Sequence, residues 1–169
     1  MVFSFCLVNA SDGTGLRQRR GLEKPSILRY LSRCPMSLCR VLIVDDFPAF
    51  REFVSYLLAD SARVVAQASD GPEAIRKAEE HQPDVIILDI GLPNLDGIEA
   101  HKRISLAAPR SKTLFLSQYE DEAVVSSALS GSSYGYVLKS DASRELLPAL
   151  AAVLRGQKYL SSGLASAEA

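Results

Sequence analysis

Cysteine is scarce and badly placed for a structural role: the 169-residue chain has three, Cys6, Cys34 and Cys39, all within its first 39 residues. An odd number at irregular spacing argues against a disulfide framework or a zinc site, so a reducing cytoplasm is the expected compartment. Long apolar runs are also missing. Stretches such as Val41–Val44 and Val85–Leu88 fall far short of the ~18 residues that a membrane span requires. Net charge is nearly absent at −1, but this is an average of unlike parts: residues 1–39 sum to +4 and residues 40–169 to −5. The larger, acidic part has no basic stripe, which makes it a poor candidate for direct nucleic-acid binding. What remains is ordinary for a globular chain. With 47% hydrophobic and 23% charged residues, the sequence can build one compact domain with a tail.

The first 39 residues show no periodicity. Met1 to Ala10 is mildly apolar but lacks a basic segment before it, and the arginines that follow are in the wrong order for a secretory signal. Pro25 to Arg33 allows at most a short helix. Three readings stand side by side: a disordered extension, a basic interaction arm, or a true start at Met36, close before the first strand. The expected organisation is an extension over 1–39, a domain over 40–157 and a short tail over 158–169.

From Arg40 onward the pattern is regular. Apolar runs at Val41–Val44, Arg63–Ala66, Val85–Leu88, Thr113–Leu116 and Tyr136–Leu138 alternate with segments of helical period, which is the sequence form of repeated βα units. The first, third and fourth runs are apolar at consecutive positions, as in parallel strands covered on both faces. Helix starts carry their own chemistry. Pro48 suits a first turn; Asp70-Gly71-Pro72-Glu73 supplies a cap, a first-turn proline and a capping-box acid; Asp96-Gly97, Glu120-Asp121-Glu122 and Ser140-Asp141 open the remaining three. Five strands and five helices predict a doubly wound α/β sheet, whose ligands bind at the carboxyl ends of the strands.

Those ends are polar in a particular way. Asp45 and Asp46 follow the first strand, Asp89 the third, Ser117 the fourth and Lys139 the fifth. Three carboxylates together repel and tend to hold protons unless a cation neutralises them. A hard divalent ion such as Mg2+ suits oxygen donors of this kind. Asp89, at the end of a central strand, is the best placed to be phosphorylated, with Lys139 and Ser117 as clamps on phosphoryl oxygens. Each residue has an ordinary reading too: Asp45 or Asp46 could cap a helix, Asp89 could be a loop acid, Ser117 a cap and Lys139 a surface charge. Jointly, their strand-end placement favours a phosphoryl-transfer site.

The set resembles the receiver domain of bacterial two-component response regulators. The resemblance rests on Val41-Leu42-Ile43-Val44-Asp45-Asp46, on Pro83 through Asp89 continuing to Pro93-Asn94-Leu95-Asp96-Gly97, on Leu116-Ser117, and on Gly135-Tyr136-Val137-Leu138-Lys139. It implies a flavodoxin-like (βα)5 three-layer sandwich with parallel sheet order 2-1-3-4-5. It also implies that Asp89 accepts a phosphoryl group from a sensor histidine kinase or a histidine phosphotransfer domain. Asp45, Asp46, Asp89 and the Gly91 backbone carbonyl would hold Mg2+, and Ser117 and Lys139 would contact the phosphoryl oxygens. Switching would draw Ser117 inward and let the Tyr136 ring enter from outside, changing the face formed by the fourth helix, fifth strand and fifth helix. No turnover of a separate substrate is implied, only slow self-phosphorylation and self-dephosphorylation.

Some positions depart from the family pattern. Gln118 stands where a small residue is common, Ser140 where many receivers have proline, and Ser132-Ser133-Tyr134 where a Gly-Ala pair is frequent. Gly91 and Tyr119 occupy positions that tune dephosphorylation. Residues 135–162 are similar to the nitrate-response type, whose members continue into a helix-turn-helix domain. The residues after Gly156 are too few for one, so the expectation is a stand-alone receiver in contact with an output protein, with a phosphorylation-linked homodimer as a further expectation. Competing readings are a truncated DNA-binding regulator, a scaffold without phosphoryl chemistry, and a Mg2+-dependent aspartate-nucleophile phosphatase. The last usually carries a second acid two residues after the nucleophile, where this chain has Gly91.

Overall fold

The structure, a computed structural model, describes residues 39–165, so the readings made on residues 1–38 and on the last four residues lie outside it. The elements are β1 (Cys39–Val44), α1 (Pro48–Leu58), β2 (Ala62–Ala68), α2 (Gly71–His81), β3 (Val85–Leu88), α3 (Gly97–Ala107), β4 (Lys112–Ser117), α4 (Glu122–Leu129), β5 (Gly135–Leu138), α5 (Ala142–Leu154), β6 (Tyr159–Leu160) and α6 (Ser162–Ala165). The strands form one parallel sheet in the order β2-β1-β3-β4-β5-β6. This is the expected flavodoxin-like arrangement with one strand added. No described helix is long and apolar enough to cross a membrane.

Consecutive apolar residues on a strand point to opposite faces, and both faces are covered. Val41, Ile43, Val85, Ile87, Leu114, Leu116 and Val137 meet Val54 and Leu58 of α1 and Leu146, Leu150 and Val153 of α5. On the other side Leu42, Val44, Ile86, Leu88, Phe115 and Tyr136 meet Ala74, Ala78, Ala100, Ile104 and Ala128 of α2, α3 and α4. The central strands are thereby fixed from both sides, and their carboxyl ends become a rigid platform.

Capping follows the sequence in three of the first five helices. Asp70 accepts from the Glu73 N–H at 2.8 Å, while the Glu73 carboxylate reaches back to the Ser69 N–H at 2.8 Å. Asp96 accepts from Ile98 and Glu99, and Asp121 from Ala123 and Val124. At α1 the residue before Pro48 is Phe47, which offers no side-chain cap. Ser140 and Asp141 lie instead in a 3-10 turn over Lys139–Asp141, and α5 has no side-chain cap.

The residues expected to be a tail from 158 onward include part of the sheet. The Tyr159 N–H donates to Tyr134 O at 3.0 Å and the Ser161 N–H to Tyr136 O at 2.9 Å. Glu145 of α5, itself buried, anchors the following turn: it accepts from the Ser161 hydroxyl at 2.7 Å and from the N–H of Ser162 at 3.2 Å. Those donors outweigh burial and leave the Glu145 carboxyl below its ordinary range.

His101 is buried between α3 and β4, with Nδ1 2.9 Å from the Thr113 hydroxyl and its ring edge-on to Phe115. Burial pushes its pKa down, so the folded state binds this proton less readily than the unfolded chain. The sign follows from linkage: this contribution is whole above the unfolded value of about 6.5 and is lost as pH falls below it, by up to about 1.4 kcal/mol per pH unit. Urea unfolding between pH 8 and pH 5 should show that slope, and His101→Gln should flatten it. A slope unchanged in the variant would place its origin elsewhere.

Candidate functional site

Strand pairing brings the acids together. The Asp45 N–H donates to Ala68 O at the end of β2, and the Asp89 N–H donates to Val44 O at the end of β1. Asp45 and Asp89 are buried, at 2% and 4% exposure, while Asp46 faces solvent. Each of the three offers a carboxylate oxygen within 4.8 Å of the others. One oxygen of each buried acid is held by a nearby main-chain donor: Phe47 N–H on Asp45 Oδ1 at 2.9 Å, and Ile90 N–H on Asp89 Oδ1 at 2.7 Å.

Lys139 leaves the end of β5 and reaches both of the other oxygens, with Nζ 2.7 Å from Asp45 Oδ2 and 2.6 Å from Asp89 Oδ2. Burial would pull its pKa down, but the two carboxylates outweigh burial and hold it above its ordinary value. Burial also raises the Asp45 pKa and Asp89 adds to the rise, against the lowering by Lys139 and the Phe47 N–H. Asp45 is thus costly to keep ionised, and the Lys139 ammonium steadies it together with Asp89. All its donors towards a cation are hard oxygens, the set that suits Mg2+.

Ser117 closes the site from β4. Its hydroxyl is wholly buried and is the only buried side-chain polar atom among the described residues without a hydrogen-bond partner. Such an orphan costs stability. Next to an anion it would be a ready donor. Tyr136 lies inside the protein, 0% exposed, and its hydroxyl donates to Tyr119 O at 2.8 Å. The sequence reading had this ring entering from outside; the structure has it already within, ring centroid 6.3 Å from Phe115.

The structure brings Asp45, Asp46, Asp89 and Lys139 together; Ser117 ends β4 paired with Leu138, the residue before Lys139, and neighbours Tyr136. Gly91 borders them: a Cβ there would lie 3.9 Å from Asp89 Oδ2 and 3.4 Å from the Tyr119 hydroxyl. Gln118 is exposed, and no cis peptide occurs among the described residues, Lys139-Ser140 included. Three contributors escaped sequence reasoning. Arg51 of α1 donates through Nη1 to Asp45 O at 2.6 Å and braces the acidic loop. The Phe50 ring lies under the Lys139 ammonium, 4.8 Å from centroid to Nζ. Gly97 allows α3 to touch the backbone of Asp89, where a Cβ would fall 2.0 Å from Asp89 O. For Gly97 a signal existed, since glycine in a helix's first turn forgoes propensity unless something approaches closely.

A family model described as the response regulator receiver domain matches residues 41–151. The chain is 32% identical over 130 residues to the response regulator GacA of Pseudomonas viridiflava, covering 76% of this chain and 61% of GacA. It is 36% identical over 128 residues to the oxygen regulatory protein NreC of Staphylococcus haemolyticus, covering 74% of this chain and 59% of NreC. This chain therefore spans less than two thirds of the length of either relative. Among solved structures, a LuxR-family two-component response regulator from Aurantimonas sp. SI85-9A1 superposes with a TM-score of 0.73 at 33% identity, covering 77% of this chain and 94% of that one.

Proposed function

The chain belongs to the response-regulator receiver family of two-component systems, and on that premise we propose that Asp89 accepts a phosphoryl group from the histidine of a sensor kinase or a phosphotransfer protein. The observation that carries this reading is the Lys139 ammonium held on both Asp45 and Asp89 beside the unpartnered Ser117 hydroxyl. In the reaction an Asp89 carboxylate oxygen attacks phosphorus and a P–O bond forms. The P–N bond of phosphohistidine breaks, and its electron pair stays on the imidazole nitrogen, which then takes a proton from water. Lys139 and Ser117 offer N–H and O–H donors where negative charge gathers on the phosphoryl oxygens. Asp45, Asp46 and Asp89, with the Gly91 carbonyl, would hold Mg2+, which supplies further charge neutralisation when bound.

The consequence is a switch rather than turnover of a separate substrate, with only slow self-phosphorylation and self-dephosphorylation. A phosphoryl group adds a charge of roughly −1.5 to −2 at the strand end. Ser117 would move to it, securing the room Tyr136 occupies and biasing the face of α4, β5 and α5 toward a partner protein. The setting is cytoplasmic.

The test is acetyl phosphate with Mg2+ followed by intact-mass measurement. Wild type should gain the mass of one phosphoryl group, and Asp89→Asn or added chelator should abolish the gain. Equal labelling of Asp89→Asn would overturn the assignment.

A further inference from the structure

Phe50 is the third residue of α1, half-buried against the core cluster that α1 shares with α5. Its ring is directed at the site: Lys139 Nζ stands 4.8 Å from the ring centroid. The same ammonium has its other contacts on Asp45 Oδ2 and Asp89 Oδ2, at 2.7 and 2.6 Å. A lysine ammonium has three donors and a flexible stem, so two hydrogen bonds leave one side of it to be satisfied by water or by the negative face of a ring. The Lys139 side chain is only 19% exposed, so little of it is left to water, and the Phe50 ring lies within cation–π range of its ammonium.

The carboxylates and the ring differ in one respect that matters. Asp89 oxygens are the reacting atoms; once one is bonded to phosphorus, the group has less negative charge to hold the ammonium, while the phosphoryl oxygens need it. The Phe50 face does not change during the reaction. The ring itself is located by Phe53, centroid to centroid 5.7 Å, and by the helix that Pro48 starts.

We infer that Phe50 is a positioning residue for phosphoryl acceptance: its ring face holds the Lys139 ammonium at the mouth of Asp89 through a cation–π contact, before and during transfer. This inference rests on the phosphoacceptor reading of Asp89 given above. In the reaction with acetyl phosphate an Asp89 oxygen bonds to phosphorus, the bond from phosphorus to the acetyl oxygen breaks, and acetate leaves with the electron pair.

The experiment measures the rate of acetyl phosphate labelling with Mg2+, and separately the ring-current shift of the Lys139 ε-methylene protons in metal-free protein. Phe50→Leu keeps an apolar side chain but removes the face; labelling should slow by about threefold to tenfold, and the shift should vanish. Phe50→Tyr keeps the face and should restore both. Replacement by mono-, di- and trifluorinated phenylalanine keeps the ring's shape while draining its face of negative charge, so labelling should fall step by step along the series. A flat fluorine series at position 50, beside wild type that labels normally, would overturn the inference and leave Phe50 a packing residue. If wild type takes up no phosphoryl group, the reading of Asp89 fails instead, and this inference fails with it.

Discussion

Lys139→Ala should unfold more easily than wild type in chelator, by about 2–3 kcal/mol. That is below the ~3–5 kcal/mol seen when one partner of a fully buried pair is removed, because the Lys139 side chain is 19% exposed and Asp46 already faces water. The loss comes from the partners left behind. Asp45 and Asp89 keep their main-chain donors but lose their shared cation, with Asp46 close by. The Asp45 carboxyl, already held above its ordinary range by burial, should rise further without the ammonium that lowers it. A carboxyl whose folded value exceeds its unfolded one binds protons more tightly when folded, so its contribution is full below about pH 4 and is lost as pH rises through the raised folded value. The variant should therefore recover stability relative to wild type on acidification from pH 7 towards pH 5. In wild type the Lys139 pKa is itself raised, so its contribution is full across neutral pH and is lost only as pH climbs through that raised value.

Lys139→Ala should move the Mg2+ response and phosphoryl uptake in opposite directions. Held by the three acids as proposed, Mg2+ would bind only the folded site and so stabilise by mass action. In Lys139→Ala it no longer competes with an ammonium for the Asp45 and Asp89 oxygens, so its stabilising increment should exceed that in wild type. Phosphoryl uptake should nonetheless fall sharply, since the donor aimed at the incoming oxygens has gone. Urea unfolding in chelator and in Mg2+, with acetyl phosphate labelling in parallel, measures all three effects. A variant as stable as wild type in chelator, with the same Mg2+ response, would show that the acids do not depend on Lys139.

The acids and Lys139 were legible because each directly follows an apolar run that can only be a covered parallel strand. Register does the rest: Val44 pairs with Leu88 and Ser117 with Leu138, so the residue after each run arrives at one edge. Phe50 was not legible, because an apolar residue on an amphipathic helix reads as core whether it touches leucine or an ammonium. Arg51 was hidden for a similar reason, its target being a main-chain carbonyl with no signature of its own. The sixth strand was illegible on other grounds. Two residues show no period, and Tyr159–Leu160 is held by backbone pairing with β5 and by the following Ser161, whose hydroxyl donates to Glu145, neither of which is written in its own sequence. The Tyr136 ring placement depends on the room beside Ser117, a property of packing that composition does not encode.

Gly97→Ala should damage the site more than any other change of a single methyl group. The added Cβ would lie 2.0 Å from Asp89 O, 2.7 Å from Ile90 Cα and 2.8 Å from Asp89 C, all backbone atoms with no rotamer to change. Gly97 is also tied to that backbone by its own N–H, which donates to Ile90 O at 2.9 Å. Either α3 withdraws or the Asp89 main chain moves. Alanine would gain up to ~1 kcal/mol in helix propensity, but overpacking of this kind costs ~1–3 kcal/mol or more, so net destabilisation is expected. The functional loss should be larger than stability alone implies, since a displacement of about 1 Å at a reacting group costs on the order of a hundredfold in rate. Gly71→Ala separates the two effects. Its Cβ would meet Leu95 O at 2.6 Å and Leu95 Cβ at 2.7 Å, a clash of similar kind on the loop before α3 but away from Asp89. Both variants should melt earlier than wild type, and at a temperature where both are folded only Gly97→Ala should lose acetyl phosphate labelling. Normal labelling of folded Gly97→Ala would mean that α3 gives way and that the contact beneath Asp89 does not set its position.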